Sequence, residues 1–312
     1  MAGKRQVRAK LIADGWQLKI MMRDFEYLEP KSVAEACDLL KRYAGEARPY
    51  AGGAYLSIVM KQGLLQPKAL VNLKKIDELK GIRVGPNEGL VIGALTTHRE
   101  IETSKLVKEK FPVLSEAERE VANIRVRNVG TVGGNLASGE PLTDLSQVFI
   151  ALGARVRISG SAGERIIPLE ELFVDYYQTS LADDEILTHV MIPPLPSHSG
   201  IEYIRFSSSS VVDKPCVGVS VFVALEAQRK ACQTVRIVLG CVGPTPARAR
   251  KAEQILEGKP LGSDLVEQAA ISAAEECSPL SDLRGSEKYK RAVVRALVRR
   301  AAPRAYERAL RG

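Results

Sequence analysis

Two glycine-rich segments constrain this chain most, because each places a Gly-Gly pair between an extended apolar stretch and an amphipathic one. A Gly-Gly pair permits a sharp turn and leaves no Cβ between the backbone amides and an approaching ligand. Where a helix follows, its free N–H groups and its dipole favour an anion. Either segment alone is typical of a tight turn, but the two together predict one ligand with two phosphates, a dinucleotide. The segments are Ala51, Gly52, Gly53, Ala54, Tyr55 and Leu56, and Thr131, Val132, Gly133, Gly134 and Asn135.

Length and composition describe an ordinary packed protein of up to two domains. The chain has 312 residues and 45% hydrophobic content, and no apolar run approaches the roughly 18 residues of a membrane span. The N-terminus is basic and lacks the apolar centre of a secretory signal. The five cysteines form no C-x-x-C pair, which argues against an iron–sulfur or zinc set and against a disulfide framework. We therefore expect a cytoplasmic protein with reduced thiols.

The net charge of +8 is concentrated at the C-terminus, where residues 284–311 carry ten Lys or Arg against two acids. Basic tails can bind nucleic acid. Here Val293, Leu297 and Val298 instead follow helical spacing between the basic rows, and aromatic residues that could stack on bases are scarce. This pattern predicts a helix packed on its own domain, with its charges facing solvent or an acidic partner.

Strand and helix signals are mixed throughout, which predicts an α+β chain. Ser32 and Glu35 form a capping box that opens one helix, and C-terminal helices are predicted at Ala247–Leu256, Asp264–Cys277 and Glu287–Ala301. The prolines at 193, 194 and 196 mark a domain boundary. We expect an N-terminal extension (1–22), a first domain (23–197, with subdomains of about 23–76 and 77–197) and a C-terminal domain (200–312).

Seven motifs in order carry a family resemblance: FEYLEP (25–30), AGG to MK (51–61), IGALTTH (92–98), VRNVGTVGGN (126–135), EIL (185–187), GPTPARA (243–249) and DLRGSEKYK (282–290). With them the chain resembles the FAD-binding (medium) subunit of the molybdenum hydroxylases. That group contains aerobic carbon monoxide dehydrogenase, xanthine dehydrogenase and 4-hydroxybenzoyl-CoA reductase. The likeness runs from about residue 24 to the C-terminus.

The resemblance implies a two-subdomain FAD-binding fold of the vanillyl-alcohol-oxidase/PCMH type, followed by a C-terminal α+β domain with a small antiparallel sheet and helices. It implies that both glycine segments, with Gly130, hold the pyrophosphate of FAD. Asp144 falls where the family binds ribose, although it also fits a helix N-cap. The remaining implied contacts are Ala94 and Val126 at the adenine end, and Ile186, Leu187, Tyr176, Tyr177 and Arg205 near the flavin ring.

Three residues depart from the family's pattern. Ala54 and Tyr55 replace a hydroxyl or His followed by a polar side chain, and Tyr177 stands at an often basic position. These departures bear on the affinity for FAD and on flavin orientation rather than on the fold. Ala94 and Val126, or Ile186 and Leu187, taken without the family, are typical core residues.

The family's division of labour implies that this chain performs no substrate chemistry. His98, His189 and His198 share no ligand-like spacing, and we assign neither a metal nor a catalytic residue. The resemblance implies a small subunit with [2Fe-2S] clusters, a large molybdopterin subunit and a dimer of heterotrimers, associated with the membrane only through the electron acceptor. One alternative is a self-contained flavin-dependent oxidoreductase, and another is a flavin-free module that binds nucleic acid.

Overall fold

The computed structural model describes residues 5–7, 24–210, 213–226 and 230–312. Most of the predicted N-terminal extension, residues 1–22, lies outside the described residues. Its described part, Arg5–Val7, pairs as an antiparallel strand with residues 25–27. This short piece therefore extends the first sheet of the protein.

The first subdomain is a four-stranded sheet with strand order β1-β2-β4-β3, in which β2, β4 and β3 run parallel. Helix α1 begins after Ser32, whose Oγ accepts a hydrogen bond from the Glu35 amide at 3.2 Å. This is half of the predicted capping box, because the Glu35 carboxylate accepts from the Lys31 amide at 2.8 Å rather than from that of Ser32. The apolar face of α1, including Leu39 and Leu40, is buried against the sheet. The elements are β1 Arg5–Val7, β2 Phe25–Leu28, α1 Val33–Tyr43, β3 Ala47–Tyr50, α2 Leu56–Lys61 and β4 Ala69–Asn72.

The second subdomain is a five-stranded antiparallel sheet of order β5-β6-β11-β7-β8, covered by helices that form the largest core. The elements are β5 Ile82–Val84, β6 Leu90–Gly93, α3 His98–Thr103, α4 Lys105–Lys110, α5 Pro112–Glu120, α6 Ile124–Arg127, α7 Val132–Ala137, α8 Ser146–Ala151, β7 Arg155–Gly160, β8 Gly163–Pro168, β9 Phe173–Asp175, β10 Gln178–Thr179 and β11 Ile186–Ile192. Strands β9 and β10 form a separate short hairpin.

The C-terminal domain is an antiparallel sheet of order β12-β13-β14-β15 packed against three helices. Its elements are β12 Ser199–Phe206, β13 Val217–Leu225, β14 Cys232–Gly240, β15 Ala247–Arg248, α9 Arg250–Leu256, α10 Ser263–Glu276 and α11 Glu287–Arg311. This small antiparallel sheet with helices, following two mixed subdomains, confirms the predicted fold class. The start of the helix predicted at residues 247–256 is wrong, because residues 247–248 pair with β14 instead.

Helix α11 packs on its own domain as predicted. Val294 and Val298 are fully buried and Leu297 nearly so. The helix continues past the predicted end at residue 301 to Arg311, because buried alanines at 301, 302, 305 and 309 prolong the apolar stripe. Arg295 and Arg299 both pair with Glu267 on α10, so part of the basic row is balanced within the chain.

The two domains meet where α8 lies on the C-terminal sheet. The Gln147 side chain fits against Gly218 and Gly240, because a Cβ at either glycine would lie 2.5 Å from it. Arg236 reaches back from β14 and donates to the Ala151 carbonyl at 2.8 Å. Among the residues that the structure describes, no helix is both long and apolar enough to cross a membrane.

Candidate cofactor site

The first glycine segment lies in direct backbone contact with Val129 and Gly130, the two residues just before the second segment. A Cβ added to Gly52 would lie 1.9 Å from the Val129 carbonyl oxygen and 3.1 Å from the Gly130 Cα. No side chain fits in such a gap, so glycine is required for this approach. The segments, nearly eighty residues apart in sequence, thus form one continuous backbone surface.

The backbone donors of the two segments differ in availability. Within the described chain, the N–H groups of residues 52–55 donate to no acceptor. In the second segment, the amides of Val132, Gly133 and Asn135 already donate to carbonyl oxygens at 2.9–3.0 Å. The Gly134 amide donates to its helix cap, Thr131 Oγ1, at 3.2 Å. The amides of the first segment are therefore free to bind an anion, whereas most amides of the second segment already donate to groups within the protein.

The second segment nevertheless presents one unsatisfied group and one open surface. The side-chain oxygen of Asn135 is buried and has no hydrogen-bond partner among the described residues. Gly134 is exposed, and a Cβ there would meet only Thr131 Oγ1, at 3.0 Å. A free cradle of amides, an orphaned buried acceptor and a glycine open to solvent fit a ligand that carries phosphates and hydroxyls.

Ala94 lies directly beneath the second segment. It is 4% exposed, and a Cβ on Gly133 would lie 2.5 Å from the Ala94 Cβ. Val126 is half-buried in the short helix α6, just before the second segment, and its carbonyl accepts from the Gly130 amide at 2.7 Å. Both residues therefore shape the second glycine segment from below.

Asp144 is held by the C-terminal domain. Its Oδ1 accepts from the Tyr203 hydroxyl at 2.8 Å and lies 3.3 Å from Arg205 Nε. Burial raises the pKa of Asp144 to about 6, although Arg205 and the Tyr203 hydrogen bond oppose the shift. The N-cap interpretation is wrong: α8 is preceded by Leu145, and no side chain caps it. The carboxylate turns instead toward the cation.

Arg205 joins three parts of the chain around this carboxylate. Its guanidinium donates to the Glu120 carbonyl at 2.7 Å, to Ser207 Oγ at 2.8 Å and to the Asp213 carbonyl at 2.5 Å. Its side chain is 8% exposed. The cation expected near the flavin ring is thus buried, and its guanidinium is held by hydrogen bonds to Ser207 and Asp213, which lie between β12 and β13.

The remaining residues that the resemblance assigns to the ring lie apart from one another. Ile186 and Leu187 open β11 and are 3% and 4% exposed, with their side chains in two hydrophobic clusters. Tyr176 and Tyr177 lie exposed at the turn between β9 and β10. The structure therefore places the former pair in the core and the latter at the surface.

A buried pair of His98 and Glu118 that the sequence analysis did not identify supports the second segment. His98 Nδ1 lies 2.9 Å from Glu118 Oε2, and the two side chains are 3% and 0% exposed. The His98 amide donates to the Gly130 carbonyl at 3.0 Å, and its ring packs against the same glycine. Burial raises the pKa of Glu118, while His98 acts against that shift. His98 is the first residue of α3, and a partner twenty residues away leaves no local signal in the sequence.

The described residues contain no cluster of His, Cys, Asp or Glu that could bind a metal ion. The five cysteines are all buried and free. Burial raises the pKa of the Cys37 and Cys232 thiols to about 11, so neither is a ready nucleophile.

The fold and the site define an FAD-binding protein of two α+β subdomains with an appended C-terminal domain. The family described as "FAD binding domain in molybdopterin dehydrogenase" matches residues 23–195, and the "CO dehydrogenase flavoprotein C-terminal domain" matches residues 203–305. The chain belongs to this family and is an FAD-binding oxidoreductase subunit of the molybdenum hydroxylases.

Individual relatives match over nearly their whole length. The carbon monoxide dehydrogenase medium chain of Hydrogenophaga pseudoflava is 35% identical, with 91% of this chain and 98% of that protein covered. The 6-hydroxypseudooxynicotine dehydrogenase complex subunit alpha of Paenarthrobacter nicotinovorans is 34% identical, with 91% and 95% covered. A solved structure of carbon monoxide dehydrogenase from Hydrogenophaga pseudoflava superimposes with a TM-score of 0.87 at 35% identity, covering 91% of this chain and 98% of that one.

Proposed function

We propose that this chain is the electron-transfer subunit of a molybdenum-containing dehydrogenase, taking electrons from [2Fe-2S] clusters of a partner subunit and passing them through FAD to an external acceptor. The observation that carries the proposal is the meeting of the two glycine segments, with the amides of residues 52–55 left as free donors. FAD bound there supplies the redox chemistry. The chain's own residues bind and orient it.

The phosphate end of the proposed site rests chiefly on the first segment. The amides of Gly52, Gly53, Ala54, Tyr55 and Leu56 are assigned to the pyrophosphate, because backbone N–H groups at a Gly-rich turn hold phosphate without a side chain. The open face of Gly134, with Thr131 and Gly133, lets the pyrophosphate approach from the other side. The orphaned Asn135 side-chain oxygen accepts from a hydroxyl of the ligand. Backbone N–H groups donate hydrogen bonds without adding a full charge, which suits a dinucleotide whose negative charge is spread over two phosphates.

The ribose and ring ends involve the residues between the domains. Asp144 is assigned to the ribose, and Ala94 and Val126 to the adenine pocket. Ile186, Leu187 and Arg205 are assigned to the flavin end, where a cation favours electron density on the ring. Because Tyr203 and Arg205 already hold Asp144 Oδ1, docking of the C-terminal domain orients the carboxylate before FAD binds. Preorganisation of this kind lowers the entropic cost of binding.

The test of the site uses Gly134→Val. A side chain at this exposed glycine meets only Thr131 Oγ1 within 4 Å, at 3.0 Å from its Cβ, so that hydroxyl has to shift by a few tenths of an ångström. The same side chain projects where the pyrophosphate is proposed to bind. We expect the wild-type chain to hold one noncovalent FAD, and the variant to hold little, with an unchanged melting temperature of the flavin-free protein. Equal FAD content in both proteins, measured by visible absorption after gel filtration, contradicts the site.

The partner assignment is tested separately. We infer a small [2Fe-2S] subunit and a large molybdopterin subunit in a dimer of heterotrimers located in the cytoplasm. The name "medium chain" of the carbon monoxide dehydrogenase relative supports a complex of several subunits. Co-expression with the products of the neighbouring reading frames should recover a Cys-rich chain bound to this one. Absorbance of both flavin and iron–sulfur clusters should then bleach when the substrate is added. Recovery of this chain alone, with a flavin that reacts directly with the substrate, favours a self-contained oxidoreductase.

A further inference from the structure

A pair of stacked tyrosines bridges the first glycine segment and the β9–β10 hairpin. The rings of Tyr55 and Tyr177 are nearly parallel, at 9°, with centroids 6.3 Å apart, within the range of offset-stacked aromatic pairs. Tyr55 comes from the proposed phosphate cradle, and Tyr177 from the other subdomain. Both rings are partly exposed, at 38% and 52%, so their contact is an addition to the core rather than part of it.

The backbone of Tyr177 is hydrogen-bonded to Gly139, just after α7, the helix that contains the second Gly-Gly pair. Its amide donates to the Gly139 carbonyl at 2.9 Å, and a Cβ on Gly139 would lie 2.9 Å from the Tyr177 carbonyl carbon. Tyr177 itself has φ of +57°, a backbone conformation that a tyrosine rarely adopts. The turn is therefore held in place by its surroundings, and its ring is aimed at Tyr55.

A buried carboxylate continues the bridge into the C-terminal domain. The Tyr177 hydroxyl donates to Glu140 Oε1 at 3.3 Å, and Lys214 Nζ lies 2.5 Å from Glu140 Oε2. Glu140 is 7% exposed, and burial together with this carboxylate raises the pKa of the Tyr177 hydroxyl. We call Tyr55, Tyr177, Glu140 and Lys214 the tyrosine clasp.

We propose that the tyrosine clasp positions the first glycine segment against the rest of the site and thereby sets how slowly FAD leaves. This inference rests on the proposed FAD site. The clasp links both subdomains and the C-terminal domain on the exposed side of the two glycine segments. The close approach of Gly52 to Val129 is a second, separate contact between these parts of the chain. With the stack broken, the first segment keeps its turn but loses its outer tether, so that the cradle opens more often.

The test compares the release of FAD from Tyr55→Ala, Tyr177→Ala and the double variant of the full chain. Release is followed as flavin recovered in the filtrate after dilution. Each single substitution should speed release by about two- to tenfold, the contribution of one aromatic pair. The double variant should be no faster than the faster single variant, because both remove the same contact. Tyr55→Phe, which keeps the stack, should release FAD at the wild-type rate.

Tyr289→Ala is the matched control, because Tyr289 is 45% exposed and forms its aromatic pair with Phe206, within the C-terminal domain. It should leave release unchanged. Wild-type release rates in both alanine variants, or effects that multiply in the double variant, overturn the clasp. A lower melting temperature of the flavin-free chain with unaltered release does so as well. If the wild-type chain binds no FAD, the proposed function fails with it; if it binds FAD and the variants release it normally, only the clasp fails.

Discussion

Replacing Gly52 with alanine should separate the two glycine segments and weaken FAD binding. The new Cβ would lie 1.9 Å from the Val129 carbonyl oxygen, whereas ordinary contacts begin near 3.4 Å. The obstacle is backbone, so the segments must move apart by about 1.5 Å. A typical hydrogen bond of about 2.9 Å cannot survive such a shift. Losing one charge-assisted bond, about 1.5–3 kcal/mol, raises the Kd for FAD by about 10- to 150-fold.

The assay is a titration of the flavin-free chain with FAD, followed by calorimetry, alongside a thermal melt. Overpacking should also cost about 1–3 kcal/mol of stability, so the affinity is compared at a temperature where both proteins are folded. Gly262→Ala is the control, because that glycine has φ of −132° and no atom within 4 Å of its Cβ. A folded Gly52→Ala chain with wild-type FAD affinity would refute the reasoning that the contact of the segments forms the site.

Two further predictions concern buried charges. Folding raises the pKa of Asp144 from 3.8 to about 6. Between pH 3.8 and about 6 the folded chain therefore binds more protons than the unfolded chain. The free energy of unfolding should fall as the pH rises through this range, by up to about 3 kcal/mol. Asp144→Asn should remove this slope in urea denaturation of the flavin-free chain at pH 4 to 7; an unchanged slope assigns it to other groups. Lys290, 2% exposed, pairs with Asp282 at 2.9 Å and donates to the Leu280 carbonyl at 2.8 Å. Lys290→Met should therefore lower the free energy of unfolding by about 1–3 kcal/mol, while the exposed Lys288→Met should not, and equal effects would contradict the pairing.

Features that depend on neighbours within a few residues were predictable. The N-cap at Ser32, the apolar stripe through Leu297 and Val298, and the turn at Gly52 and Gly53 all have local causes. The C-terminal end of α11 was harder to predict, because each alanine that extends its apolar stripe buries little area and is also common at solvent-facing positions. The helix after Asp144 begins at Ser146 and is preceded by Leu145, so the N-cap pattern at Asp144 did not predict its start.

The assignment of partners to buried charges was not predictable. Asp144 satisfies the sequence pattern of a helix cap, yet its carboxylate is bound by Tyr203 and Arg205, about sixty residues away. Such a pairing arises only when the C-terminal sheet docks on α8. The burial that raises the pKa of Asp144 has the same origin. Neither effect leaves a periodic or local signal.

By itself, the sequence located two glycine-rich segments where the backbone needs a residue without a Cβ, at Gly52 and Gly133, because close approach is a property of the glycines themselves. Only the first is a turn in the structure, since Gly133 and Gly134 lie in the first turn of α7. The sequence motifs were also sufficient to identify the family. Only the tertiary structure decided which amides remain free, since the second segment uses its own N–H groups against Ala94, Thr96 and Thr131. Hydrogen-bond donors are committed by whatever backbone lies within about 3 Å, and that neighbour is set by packing across the whole domain.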